Sequence, residues 1–393
     1  MTRTNVLTPA AHPASLPIAS NGSLTPEPHM QRPIRKIALN TGGGDAPGLN
    51  AVIRAAVLAA RSRGWEVYGI RRGYGGLLED DSLVRLDKES VRGITHLGGT
   101  ILGTTNRGNP FEWPVQRPDG TVEVVDRSDE VIEAFHRHEL DALIAIGGDG
   151  SLHIANRLAK KGLPVVGVPK TIDNDLACTQ VSFGFHTAVQ TATDALDKLH
   201  STAQSHERVM VVEVMGRHVG WIALYSGVSG TADVILIPEI PYDLDKVCAK
   251  IEERYTLGPR FAIVVAAEGA RPIGGEPVYA EAAAPGRAAR YGGIAEKLAK
   301  EIQAKTGRET RSLVLGHLQR GGSPTAYDRL IALRFGAAAV RYVEERRFGT
   351  MVALDPPHVR AVPLEEAVAS LKSVPLDYDI VQTARDMGIS FGD

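Results

Sequence analysis

The sequence predicts an α/β protein with mainly parallel sheets covered by helices, and three observations predict it. From Ile34 onward, short β-branched runs alternate with longer amphipathic runs, the order that builds parallel sheets with helices on both faces. Several of the short runs, such as PVVGV (164–168) and FAIVVAA (261–267), have no polar side, as expected of strands buried on both faces. The chain has 393 residues, 43% hydrophobic and 23% charged, enough for two such layers around ordinary globular cores.

Taken in order, IRKIALN (34–40) reads as the first strand. Beyond Pro47, which suits the first turn of a helix, Val52, Ala56 and Ala59–Ala60 fall on one helical face. DALIAI (141–146) reads as a strand, with a helix through Leu152 and Ile154–Leu158 behind it. PVVGV is followed by a long helix over 184–203, then by the strands RVMVVEV (208–214), DVILI (233–237), FAIVVAA and SLVLG (312–316). A helix over 325–346 completes the pattern. Residues 272–291, rich in Pro, Gly and Ala, read as a surface loop. Residues 1–33 are rich in Pro, Ala, Ser and Thr and carry neither an apolar core nor an Arg-rich amphipathic pattern. They read as a disordered extension rather than a signal or transit peptide, and Met30 is a second candidate translation start.

Composition excludes several function classes. A net charge of −2 gives no footprint for nucleic acid or for a membrane surface, so neither is expected as a partner. Cys178 and Cys248 are the only cysteines. They form no disulfide framework or zinc pattern, which points to a reducing, cytoplasmic setting.

Ligands of parallel sheets bind beyond the carboxyl ends of the strands, so the turns there carry the functional information. TGGGDAPGLN (41–50) fits a phosphate cradle at a helix N-terminus and fits a plain tight turn equally well. It has neither the GK[ST] ending of a Walker loop nor the G-x-G-x-x-G of a dinucleotide site. GGDGS (147–151) sets Asp149 between glycines, where it suits a divalent cation or a helix cap. In PKTIDND (169–175), Asp173 and Asp175 lie two apart and, in an extended segment, project to the same side. Held together they call for a cation or a proton; solvated acids in an Asx-turn are the alternative. MGRHVGW (215–221) offers Arg217 to a phosphoryl group or to a surface ion pair. TRSLVLGHLQRGGSPTAYDR (310–329) brings Arg311, His317 and Arg320 into one stretch suited to a terminal phosphate.

GGDGS, PKTIDND, MGR and GHLQRGGSP in this order resemble the phosphofructokinase family, from about Ile34 to beyond Arg329. The resemblance implies two Rossmann-like three-layer domains with the active site in the interdomain cleft. Residues 34–184 with about 318–365 would form the nucleotide-binding domain. Residues 185–317 with the C-terminal segment would form the sugar-phosphate domain. It implies ATP-dependent phosphorylation of fructose 6-phosphate at its 1-hydroxyl, a glycolytic step, with Mg²⁺ served by Asp149. Gly44, Arg107, Gly148, Asp149, Gly150 and Ser151 would meet ATP. Asp173 would be the general base, helped by Thr171, Asp175 and Arg217. The sugar phosphate would contact Thr171, Ile172, Asp173, Met215, Gly216, Arg217, Glu268, His317, Leu318, Gln319 and Arg320. Arg208 and Arg311 would reach into a neighbouring subunit's site, implying a homodimer or homotetramer.

Two positions bear on the phosphoryl donor. Gly150 resembles ATP users, because pyrophosphate users carry Asp there, which would crowd and repel an α-phosphate. Lys170 resembles pyrophosphate users. The open space at Gly150 weighs more, since an added Lys tolerates either polyanion. Alternatives are a pyrophosphate-dependent phosphotransferase, a sedoheptulose 7-phosphate kinase and an inactive nucleotide-binding subunit. Effector control departs from the family pattern: Arg54 remains but Leu58 follows it, and TLGPR stands before FAIVVAA where a Lys-rich segment is usual.

Overall fold

The computed structural model describes residues 32–79, 82–258, 260–281 and 290–393. Most of the expected extension therefore lies outside the described residues. The first half of the chain contains strands β1 (Lys36–Thr41), β2 (Glu66–Ile70), β3 (Leu83–Leu86), β4 (Trp113–Gln116), β5 (Val122–Val125), β6 (Ala142–Gly147), β7 (Val165–Thr171) and β8 (Phe183–Gly184). Its helices are α1 (Leu49–Arg61), α2 (Ser128–Arg137), α3 (Asp149–Lys160) and α4 (Phe185–His206). The second half adds strands β9 (Val209–Val214), β10 (Val234–Leu236), β11 (Ala262–Ala267), β12 (Tyr279–Glu281), β13 (Arg290–Tyr291), β14 (Thr310–Val314), β15 (Thr350–Asp355) and β16 (His358–Pro363). Its helices are α5 (Trp221–Ser229), α6 (Leu244–Thr256), α7 (Ile294–Thr306), α8 (Ala326–Glu344), α9 (Leu364–Ala367) and α10 (Asp379–Asp386).

Among the described residues the larger sheet runs β16-β15-β7-β6-β1-β2-β3, with β8 beside β7. It is parallel except at its two margins, where β16 and β3 run antiparallel to their neighbours. The smaller sheet, β10-β11-β9-β14, is parallel throughout. Successive side chains of a strand point to opposite faces, and here both faces are packed. Ile37 and Leu39 of β1 enter one core and Ala38 another. Met210, Val212 and Val214 of β9 join the first core, while Val209 and Val211 face α6 and α7. The shared core lies under α1, α4, α5 and α8 and connects both sheets. This double coverage makes the strands continuously apolar in sequence. Helix α8 approaches α1 so closely that a Cβ at Gly336 would lie 2.4 Å from the carbonyl oxygen of Val52.

Two local expectations are corrected. Helix α1 starts at Leu49, after a left-handed Gly48, so Pro47 precedes the helix instead of occupying its first turn. The 272–291 segment is not all loop: β12 pairs antiparallel with β13, and Tyr279 packs on Tyr291 with ring centroids 4.9 Å apart. The expected loop's residues 282–289 lie outside the described residues.

Candidate active site

A cavity of about 1160 Å³ opens where the carboxyl ends of the two sheets face each other. From the larger sheet come the turns after β1, β6 and β7; from the smaller sheet come those after β9 and β11.

The turn after β1 is held in place by its backbone. Gly42 N–H donates to Ile146 O at 3.0 Å and Gly43 N–H to Thr105 O at 3.1 Å. Thr104 Oγ1–H donates to Gly43 O at 2.5 Å. A Cβ at Gly44 would sit 2.8 Å from Arg320 Nη1, so a side chain there would displace that guanidinium from the turn. Helix α3 begins at Asp149 directly after β6, so its N-terminal amides face the cavity beside an acid they favour. Gly150 is the opposite of Gly44: a Cβ there would meet nothing within 4 Å. Tyr74 braces the turn, its hydroxyl donating to Ser151 O at 2.8 Å.

The turn after β7 carries the acids. It is a bend, not the extended segment expected. Asn174 sits in the left-handed region at φ 54°, which Asn tolerates better than most residues. Its side-chain oxygen accepts from Ser182 N–H at 3.1 Å. That reversal, rather than strand geometry, turns both Asp173 and Asp175 into the cavity. Asp173 Oδ1 and Asp175 Oδ1 are buried with no hydrogen-bond partner. Burial is the first cause raising both carboxyls; it holds Asp175 up at about 7, with the charge of Asp173 adding to it. For Asp173, Arg320, Arg217, His218 and Lys170 oppose the upward shift. Lys170 is 2% exposed and its ammonium donates to Gly44 O. Burial and then Arg320 push Lys170 down to about 7.

From the other side, Met215, Arg217, His218 and Val219 follow β9, and Glu268 follows β11. Gly216 has φ 137°, and a Cβ would lie 2.6 Å from Val219 O, so the tight turn that presents Arg217 requires glycine. Arg217 is exposed and lies over the Tyr291 ring, 5.4 Å from its centroid. Burial, then the Asp173 charge, raises Glu268 to about 7.

Of the residues singled out in the sequence, the cavity collects Gly44, Arg107, Gly148, Asp149, Gly150, Ser151, Lys170, Thr171, Asp173, Asp175, Met215, Arg217, Glu268 and Arg320. Others stand apart. Ile172 is fully buried in the core. Gln319 is buried and structural, its Oε1 accepting from Met215 N–H at 3.3 Å. His317 is exposed outside the cavity lining and Leu318 is 68% exposed. Arg208 and Arg311 lie at the amino ends of β9 and β14, both paired with Glu309 at 2.8 and 2.5 Å, away from this chain's cavity. Arg54, expected from the family's effector pattern, donates to Val91 O at 2.8 Å. Sequence reasoning passed over Tyr74, Asn106, Asn109, His218 and the β4–β5 hairpin, whose Val122 and Val124, each 53% exposed, line the cavity mouth. His218 follows Arg217 directly, and the PDG at 118–120 is a turn signal for the hairpin.

Among the described residues no group of three or more His, Cys, Asp or Glu side chains is placed to hold a metal ion unaided. The unpartnered oxygens of Asp173 and Asp175, with Asp149 nearby, fit a hard divalent cation that takes its remaining ligands from water and phosphate. No helix among the described residues is long and apolar enough to cross a membrane.

Comparison with known proteins places this geometry in context. The phosphofructokinase family model matches residues 36–343. ATP-dependent 6-phosphofructokinase 2 of Clostridium perfringens is 49% identical over 367 residues, covering 93% of this chain and all of that protein. ATP-dependent 6-phosphofructokinase of Chloroflexus aggregans is 51% identical over 359 residues, 91% of this chain and 98% of that one. Among solved structures, Pichia pastoris phosphofructokinase in the T-state superposes with a TM-score of 0.74 at 32% identity, over 86% of this chain and 36% of that one. A pyrophosphate-dependent phosphofructokinase from Marinobacter aquaeolei shares the fold, with a TM-score of 0.75 at 23% identity, covering 91% of this chain and 92% of that one.

Proposed function

The chain belongs to the phosphofructokinase family, and from that premise we propose that it transfers the γ-phosphoryl group of ATP to the 1-hydroxyl of fructose 6-phosphate, giving ADP and fructose 1,6-bisphosphate. The carrying observation is the convergence in one cleft of Asp149, Asp173 and Asp175 from one sheet with Arg217 and Glu268 from the other.

Phosphoryl transfer has a loose transition state, so positioning and charge neutralisation do most of the work. Gly44, Gly148 and the amides opening α3 hold the donor's phosphates. Asp173 accepts the proton of the 1-hydroxyl as the new oxygen–phosphorus bond forms and the bond to the ADP oxygen breaks. A buried carboxyl raised above its ordinary range is better matched to this task than a solvated one. Arg217, free at the cleft wall, meets the charge on the transferring group. Glu268 accepts hydrogen bonds from the sugar hydroxyls. Asp149, with Asp175 beside it, would hold Mg²⁺, leaving Asp173 to the proton. A divalent cation held there would supply the positive charge needed to neutralise the donor's phosphates beside these acids.

ATP is the donor in this reading, because Gly150 leaves the α-phosphate side of the cleft open and Lys170 is already engaged with Gly44. The nucleotide-binding domain is built around the larger sheet and the sugar-phosphate domain around the smaller. The enzyme works in the cytoplasm as a homo-oligomer in which Arg208 and Arg311 complete a neighbour's sugar-phosphate pocket. A coupled assay of the purified chain with each donor, against fructose 6-phosphate and sedoheptulose 7-phosphate, tests the assignment. Turnover is expected with ATP, Mg²⁺ and fructose 6-phosphate; robust turnover with pyrophosphate alone overturns the donor.

A further inference from the structure

The two walls of the cleft are tied together by a short C-terminal segment that the mechanism above does not use. Leu371 bridges antiparallel to Leu176, and Lys372 N–H donates to Asp175 O at 2.8 Å. Lys372 is half-buried and its ammonium donates to Asn174 Oδ1, Thr179 O and Gln180 O, each at 3.0 Å. All three of its donors are thus spent on the segment that carries Asp173 and Asp175. On the other side, Lys372 O accepts from Trp221 Nε1–H at 2.7 Å. Val374 N–H donates to Glu239 Oε1 at 2.9 Å. The same Glu239 carboxylate accepts from Gly220 N–H at 3.1 Å. Gly220 and Trp221 close the turn that presents Arg217 and His218.

We propose that Lys372 is a positioning residue for phosphoryl transfer: with Glu239 it forms a strap that sets the acid-bearing turn against the arginine-bearing turn. This rests on the phosphotransfer reading above. Three features carry it. Asn174 sets the left-handed reversal that turns both acids into the cleft, and Lys372 holds its side-chain oxygen. An ammonium drawn partly out of water is costly unless its protons are placed, and all three protons of Lys372 are placed on the acid-bearing segment. The strap also contacts the partner turn within two residues, through Trp221 and Glu239. Neither Lys372 nor Glu239 lines the cavity, so both act through other residues.

The test compares full-length wild type, Lys372→Met, Lys372→Arg, Glu239→Gln and the Lys372→Met/Glu239→Gln pair, with saturating Mg-ATP and fructose 6-phosphate. Misplacement by about 1 Å costs about 10²-fold in rate. Lys372→Met is therefore expected to lower kcat by about 10²-fold while KM for both substrates stays within about threefold. Lys372→Arg should recover about tenfold of that loss, and the pair should lose at most about threefold beyond Lys372→Met, because both changes release one strap. Trp221 is 5% exposed, so its emission should shift to the red in Lys372→Met as a readout independent of turnover. A folded Lys372→Met with kcat near wild type, a KM that rises as far as kcat falls, or multiplying losses in the pair each overturn the proposal. If Lys372→Met does not fold, Glu239→Gln is read by the same kcat and KM criteria. Inactive wild type in this assay would instead overturn the phosphotransfer reading.

Discussion

The two sides of the cleft are prepared differently. The acids on the larger-sheet side are half-buried: Asp173 and Asp175 each keep one buried oxygen without a partner, and Lys170 is buried beside them. On the smaller-sheet side Arg217 and His218 are exposed, and the Arg217 guanidinium rests on an aromatic ring. The acids of one wall are tuned by partial burial, while the guanidinium of the other stands exposed. Under the proposed mechanism, such an arrangement would place the base before substrate arrives and let the guanidinium respond to the charge that develops.

The sharpest way to break this comparison is at the base. Asp173→Asn keeps size and loses the proton acceptor, so kcat is expected to fall by about 10²–10⁴-fold, with ATP affinity by titration unchanged. On the opposite wall, Arg217→Ala is expected to cost about 10²–10³-fold in kcat, with little change in Tm because the side chain is exposed. Gly150→Asp probes the open region between the walls. Nothing in the protein obstructs the new side chain, so Tm should hold while kcat/KM for ATP falls by about tenfold or more through like-charge repulsion.

The pH dependence separates the two walls in a smaller way. Asp175 and Glu268, raised to about 7, lose their charge as pH falls below that value, so kcat/KM is expected to drop by up to about tenfold per unit below pH 7. Stability runs the other way. These carboxyls bind protons more readily folded than unfolded, so their contribution is fully present below the ordinary carboxylate pKa near 4 and is lost as pH rises through about 7. Without ligands, Tm should decline by a few degrees over that window, which calorimetry can follow.

Much of this was legible in the sequence because strands buried on both faces leave unbroken apolar runs, as in PVVGV and AIVVAA. The turns that follow them line the cavity, as the logic of parallel sheets leads one to expect. What was missed has physical reasons. β2 and β3 lie toward a sheet margin and carry polar residues such as Glu66 and Arg85. The β4–β5 hairpin is short and exposed. The orientation of Asp173 and Asp175 depends on a left-handed Asn174, which alternation along a strand cannot reveal. Lys372 lies almost two hundred residues from the turn it grips, and only folding brings them together. Leu318, beside two candidate ligands in sequence, faces outward because the Gly316–Arg320 turn is a 3₁₀ helix with Gln319 as its buried residue.

Whether the two walls act on one phosphoryl group is tested most directly by a double-mutant cycle of Asp173→Asn and Arg217→Ala on kcat. Groups serving a single transition state lose far less together than their separate losses multiplied. The expected result is a double variant within about tenfold of the more damaged single variant. A double variant whose loss equals the full product of the two would mean that the half-buried acids and the open guanidinium act independently, contradicting a shared reaction centre.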